Sequence, residues 1–398
     1  MGNKYNFDQI IDRRNTSCIK YDSASKRMGR DDLLPMWVAD MDFALPDEIL
    51  DALHTRISHG IFGYTDPDDS YFEVLINWFA KRYGTHLSGD WITVTPGIVY
   101  AIACAVRAYT DISDKVVIQE PVYYPFRETI EDNDRVCISN TLVQKNGKYS
   151  IDFDDLEEKL KDPKTKLMVI SSPHNPVGRV FTREELEKIS LLCLENGVKL
   201  FSDEIHCDFI YKGNKFTSLL ALEDKYAENT VVATSISKTF NAAGFQASNI
   251  IIKNKHMRFD FRKQNGANGY SQANVIGLEA TKAAYTYGEE WLDELLEYLE
   301  GNLDFLRKYI KENIPSVKLI EPEGTYLLWL DFSEIVEDKK QLKELIINRA
   351  RLWLDAGSIF GGNSELFERI NIACPRQILK EALDRLKTAV EPDTVRSC

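Results

Sequence analysis

The chain has 398 residues, 44% hydrophobic and 28% charged, which supports one large core and a second, smaller domain. Its formal net charge of -13 repels polyanions, and no lysine or arginine run offers a local exception, so nucleic acid is excluded as a partner. No window approaches the length of a membrane span, and the opening MGNKYNFDQIIDRR has no apolar signal-like segment; a cytoplasmic address is expected.

The opening Met-Gly would suit myristoylation only with Ser or Thr where Asn6 stands. The seven cysteines, Cys18, Cys104, Cys137, Cys193, Cys207, Cys374 and Cys398, contain no C-x-x-C pair. They read as scattered reduced thiols rather than a disulfide framework or zinc site. Cys207 directly follows His206, and adjacent residues are a poor start for a tetrahedral site, so no metal is expected.

Up to about residue 50 the sequence is irregular around the apolar cluster LPMWVADMDF, as in an arm that packs on something else. From 51 to 289 short β-rich runs alternate with helical patterns: WITVTPG, KVVIQEP, RVCISNTLV, KLMVISSP, VKLFSDE, NTVVATSIS and ASNIIIK. In the helical stretch TREELEKISLLCLENG, Thr182 and Glu185 have capping-box spacing and Gly197 suits the position past the C-cap. Near-continuous apolar strands spaced by helices predict an α/β domain with a mostly parallel sheet covered on both faces. From 290 to 398 a longer helix, the two strands of VKLIEPEGTYLLWLDF around a glycine turn, the strand ERINIACP and a last helix RQILKEALDRLKTAV predict a smaller α+β domain.

Ligands of open α/β sheets collect at the carboxyl ends of the strands. The residues there are Thr95 and Gly97 before an apolar helix, Tyr123 after KVVIQE, Asn175 after KLMVISS, Asp203 after VKLFS and Lys238 after NTVVATS. Each has a plain structural explanation: a helix start, a packed ring, a turn before Pro176, an N-cap, and a lysine whose stem runs to the surface.

Taken as a set, their chemistry is complementary. A lysine amine forms a Schiff base with an aldehyde, and an aspartate keeps a heteroaromatic nitrogen protonated. A tyrosine stacks on the ring, an asparagine donates to a phenolic oxygen, and the helix start with Ser235 and Ser237 holds a phosphate. These groups together describe pyridoxal 5'-phosphate. Two other readings compete. Ser235-Ile-Ser-Lys238 matches the S-x-x-K pattern of serine acyl enzymes, but the K-T-G element is absent. A non-catalytic binding protein on this fold would be favoured by loss of Lys238 or Asp203, and both are present.

The segments SSPHNPVGRVF, SDEIHCDFIY and SISKTFNAAGFQASNIII resemble the signatures of fold type I pyridoxal-phosphate enzymes. With LPMWVADMDF, FGYTDPDDSYFEVLINWF, TPGIVYAI and RINIACPR they resemble, more narrowly, the cystathionine β-lyase or carbon-sulfur lyase group known as MalY/PatB. The resemblance implies that Lys238 carries the cofactor and later acts as base. It implies that Asp203 pairs with the pyridine nitrogen, Asn175 bonds the phenolic oxygen, Tyr123 stacks on the ring and His206 stands near that oxygen. Gly97, Ile98, Ser235 and Ser237 would surround the phosphate, with Tyr64 reaching it from the other subunit of a homodimer. Arg376 would clamp the substrate carboxylate, helped by the backbone near Trp37 and Ala39 and by Asn175. In typical aminotransferases of this fold an arginine follows the lysine by eight residues; here that place is Gln246. The implied activity is β-elimination from cystathionine or another cysteine S-conjugate, with an amino-acid aminotransferase as the nearest alternative.

Overall fold

All seven β-rich runs between residues 51 and 289 enter one seven-stranded sheet: β1 (Ile92–Thr95), β2 (Lys115–Ile118), β3 (Val136–Ser139), β4 (Thr165–Ser171), β5 (Lys199–Asp203), β6 (Thr230–Thr234) and β7 (Ser248–Ile251), in spatial order β1-β7-β6-β5-β4-β2-β3. The computed structural model describes residues 4–391; Met1–Asn3, with the opening Met-Gly, and residues 392–398, with Cys398, lie outside it. Strands β2 to β6 pair in parallel, whereas β7 runs antiparallel to both β1 and β6.

The interior strands are apolar throughout because helices cover both faces of the sheet. Val231, Val232 and Ala233 of β6 are all fully buried. Beneath the sheet, α1 (Ile98–Tyr109) buries Ala101, Ile102, Cys104, Ala105 and Val106. On the other side α2 (Arg183–Glu195) opens with the expected capping box, Thr182 Oγ1 accepting from Glu185 N and Glu185 Oε2 accepting from Thr182 N. It ends before Gly197, whose φ of 67° is the left-handed conformation that glycine adopts without strain. A third helix, α3 (Ile236–Thr239), is a single turn after β6.

The long helix α4 (Glu289–Asn313) leads into a four-stranded antiparallel sheet, β8 (Lys318–Ile320), β9 (Leu327–Asp331), β10 (Asp355–Ala356) and β11 (Phe367–Asn371), in order β8-β9-β11-β10. The last helix, α5 (Arg376–Val390), closes the described chain. The N-terminal segment joins this region: Leu34 and Pro35 pair in parallel with Leu352 and Trp353.

Two details depart from the sequence reading. Val143, at the end of RVCISNTLV, belongs to a separate hairpin of Val143–Lys145 with Lys148–Ser150. The two-residue strands at Leu352–Trp353 and Asp355–Ala356 are too short to give an alternating pattern.

Candidate active site

Lys238 lies in α3, which Ser235 caps: its Oγ accepts from Ser237 N at 3.1 Å and donates to the Ala247 carbonyl at 2.7 Å. The helix directs the Lys238 amine across the sheet edge to the carbonyl of Ala39, 2.8 Å away. Burial lowers the amine to about 8; Asp40 and Asp203 oppose that shift and Arg369 adds to it. An amine so shifted is a working nucleophile and base near neutral pH. Tyr326, fully buried, donates its hydroxyl to the same Ala39 carbonyl at 3.1 Å.

Asp203 ends β5 and is buried, its Oδ1 accepting only from Ile205 N at 3.0 Å. Burial raises its carboxyl to about 7, with the Ile205 amide and Lys238 opposing. A buried carboxylate without a bonded cation is costly unless a partner arrives, and a protonated ring nitrogen is such a partner. His206 is buried beside it, its Nδ1 without a hydrogen bond and its ring 5.7 Å from that of Tyr326. Burial, then Lys238 and Arg369, hold this imidazole well below its ordinary value. It is neutral. Tyr123 is partly buried and burial pushes its phenol up to about 12.

The position of Arg376 differs from the sequence reading. Arg376 opens α5, where its Nε donates to Asn302 Oδ1 at 2.6 Å and its guanidinium lies over the rings of Tyr298 and Phe305 at 5.5 and 5.7 Å. These contacts fasten α5 to α4 and keep the side chain out of the Lys238 site. The arginine that enters the site is Arg369, on β11. It is 3% exposed, with Nη1 donating to Asn175 Oδ1 at 2.9 Å, Nη2 donating to the Trp37 carbonyl at 2.9 Å, and an ion pair to Asp355. Its Nε, buried, has no partner. Asn175 is therefore engaged by Arg369 through its oxygen, leaving its amide N–H groups to donate elsewhere.

The segment Trp37–Met41 supplies two of these carbonyls and is itself clasped. Asn371 Nδ2 donates to the carbonyls of Val38 and Asp40, both at 2.6 Å. Asn241 bonds Met41 N, Met41 O and Phe43 O at 2.9, 2.9 and 3.0 Å. The irregular arm of the sequence thus becomes one wall of the site.

Gly97 caps α1, and a methyl group at its Cα would meet no atom within 4 Å. With a φ of 174°, it stands there for the open space before the helix start rather than for an unusual backbone. Ile98, the next residue, is buried. Ser237 is partly exposed near this opening, while the Ser235 hydroxyl is spent on the cap and Ala247. Tyr64 is 95% exposed and lies outside the single-chain site, in a run with Ile61 at 67% and Phe62 at 53%.

An enclosed lysine amine, a buried carboxylate without a cation, a neutral imidazole, an arginine fork and an open helix start suit an aldehyde cofactor bearing a protonated ring and a phosphate. The sequence pattern of the aminotransferase class I and II family matches residues 31–386, and the chain belongs to that family. Within it, the chain is 41% identical to cystathionine β-lyase PatB of Bacillus subtilis, over 97% of this chain and 100% of that one. It is 31% identical to protein MalY of Escherichia coli over 97% and 99% of the two chains. The crystal structure of cystalysin from Treponema denticola, which contains pyridoxal 5'-phosphate, superimposes with a TM-score of 0.94 at 37% identity, covering 97% of this chain and 99% of that one. The fold is that of the fold type I pyridoxal-phosphate enzymes.

Proposed function

We propose that this chain is a pyridoxal 5'-phosphate-dependent carbon-sulfur β-lyase that cleaves L-cystathionine or a related cysteine S-conjugate to a thiol, pyruvate and ammonia. The observation that carries the reading is the Lys238 amine, lowered to about 8 by burial, with Asp203 and Arg369 both close enough to act on its charge. The 41% identity to cystathionine β-lyase PatB supports the same chemistry.

The residues present fit the cofactor. Lys238 would hold the aldehyde carbon, Asp203 the ring nitrogen, the amide of Asn175 the phenolic oxygen and Tyr123 a ring face; the start of α1 at Gly97 and Ile98, with Ser237, would hold the phosphate. When bound, the cofactor supplies an electron sink that makes the substrate Cα–H acidic.

The chain's own groups do the rest. Arg369 receives the substrate α-carboxylate through its guanidinium, whose buried Nε is left without a partner. Lys238, once free, takes the proton from Cα and returns it elsewhere, which a base near 8 does efficiently. The Ala39 carbonyl and the Tyr326 hydroxyl give the released amine a fixed resting place. Tyr123 stays protonated at neutral pH, since burial raises it to about 12, so its ring carries no charge against the cofactor. Burial holds His206 well below its ordinary value, so it adds no positive charge that would compete with the ring nitrogen for Asp203.

The working unit in this reading is a cytoplasmic homodimer in which Tyr64 reaches the neighbouring chain's phosphate. The exposed run Ile61, Phe62 and Tyr64 supports such an interface, and the free state of the six described cysteines suits a reducing compartment.

Purified protein supplied with the cofactor and L-cystathionine, but with no keto-acid acceptor, is expected to release pyruvate continuously with stoichiometric homocysteine. A single turnover, with the chromophore shifting to the pyridoxamine form, would replace β-elimination with transamination.

A further inference from the structure

A cavity of about 450 Å³ opens on the far side of the strand that carries Arg369. Successive residues of a strand face opposite ways, so Arg369 looks into the Lys238 site while Glu368 looks into this cavity. The walls are apolar: Leu342 and Ile346, from the helix Lys339–Lys343 and the π-helical turn Glu344–Arg349 that follows it, with Trp353 and Leu354. Helices with π-type turns frequently mark functional sites.

Glu368 gives the cavity its chemistry. It is 4% exposed and among the described residues makes no side-chain hydrogen bond or ion pair. Burial and the neighbouring Asp355 carboxylate both push it well above its ordinary range. A buried carboxyl with no partner gives up its proton when a cation arrives to pair with it. Lys340 and Lys343 stand exposed at the rim, neither in an ion pair among the described residues. The cavity thus offers a carboxyl group, an apolar wall and ammonium groups at its rim.

We propose that this cavity is a second ligand site, distinct from the Lys238 site, for an α-amino acid with an apolar side chain. Glu368 receives its ammonium, Lys340 or Lys343 its carboxylate, and Leu342, Ile346 and Trp353 its side chain. A cavity of 450 Å³ is in the range of small-molecule sites.

Occupancy would be felt by the anchor in two ways. Asp355 lines the cavity and is the ion-pair partner of Arg369. Trp353 stacks on Trp37 with centroids 4.3 Å apart, and the Trp37 carbonyl accepts from Arg369.

The test uses holoenzyme and L-norleucine, which has no leaving group at Cβ. Calorimetric titration is run with cofactor absorbance recorded in parallel. Two binding events per chain are expected, one that tracks the cofactor absorbance and one that does not. Glu368→Gln should weaken the second by about tenfold or more, as loss of a charge-assisted bond does, and leave the first within twofold. Leu342→Trp, which fills the cavity, should remove the second as well. Only an absorbance-tracking event in the wild type, or a second event that survives both substitutions, overturns the proposal. An absent absorbance response would instead count against the lyase reading and leave the second site standing.

Discussion

Two lysine–aspartate neighbourhoods lie close together at the arm of this protein, and they are built in opposite ways. Lys20 and Asp42 are 1% and 2% exposed and bonded at 2.8 Å. Arg13 adds bonds to Asp42 at 2.8 Å and Asp40 at 2.6 Å, and Tyr21 donates to Asp42 at 3.1 Å. Every charge there is answered, and the cluster fastens Arg13, Lys20 and Tyr21 to Asp40, Met41 and Asp42. Lys238 and Asp203 share one pocket yet are not bonded to each other: the amine rests on the Ala39 carbonyl and the carboxylate on the Ile205 amide. Their charges are left for something else. The same two residue types therefore make a latch where they are satisfied and a reactive site where they are not.

The sharpest way to break the contrast is at the two lysines. Lys238→Ala should abolish turnover, by at least about 10³-fold, and with it the yellow chromophore of the loaded protein, measured by pyruvate release and absorbance. Lys20→Met should instead leave Asp42 buried with less compensation and lower stability by about 3–5 kcal/mol, read by denaturant unfolding, while the chromophore is retained in whatever protein folds.

The two arginines extend the comparison. Arg369→Ala should raise KM for the amino-acid substrate by about 10²-fold. Arg376→Ala should change KM less than twofold and cost about 1 kcal/mol of stability through the lost α4–α5 bond. Equal effects on KM would mean that the side chains exchange roles in solution.

Asp203→Asn separates stability from activity. The folded carboxyl titrates near 7 and the unfolded one near the ordinary value of about 3.9. Between those values the folded state holds a proton the unfolded state has lost, so apoprotein stability falls as pH rises through that window. The Asn variant should escape this fall and exceed the wild-type apoprotein at pH 8 by on the order of 2–4 kcal/mol, although its loaded form should be nearly inactive. A last effect concerns Lys238, lowered to about 8: the neutral fraction of its amine, and with it the rate of cofactor capture by apoprotein, should rise about tenfold between pH 7 and pH 9, followed by stopped-flow absorbance.

Much of the site was legible because strands and their ends are local features. Lys238, Asp203 and Asn175 each follow a β-rich run, and in an α/β sheet that position alone brings them to one edge. Which arginine enters the pocket was not legible in the same way, since Arg369 and Arg376 both lie in RINIACPR. The usable signal was alternation: in a strand Arg369 and Asn371 share one face, and both hold the Trp37–Met41 segment. Arg376 follows Pro375 into a helix, and a residue in the first turn of a helix packed on α4 faces its neighbour helix rather than the sheet edge. Tyr326 gave no signal, because a tyrosine after a glycine turn is an ordinary strand residue.

By itself the sequence determined the α/β order of elements, the capped helices and the lysine, aspartate and asparagine at the strand ends, all of which follow from periodicity and nearest-neighbour chemistry. The tertiary structure decided which arginine enters the Lys238 pocket, that the arm closes it, and which buried charges are answered. Those depend on pairs such as Lys238 with Ala39 and Arg369 with Asn175, which lie 199 and 194 residues apart in the chain and meet only when the two sheets pack.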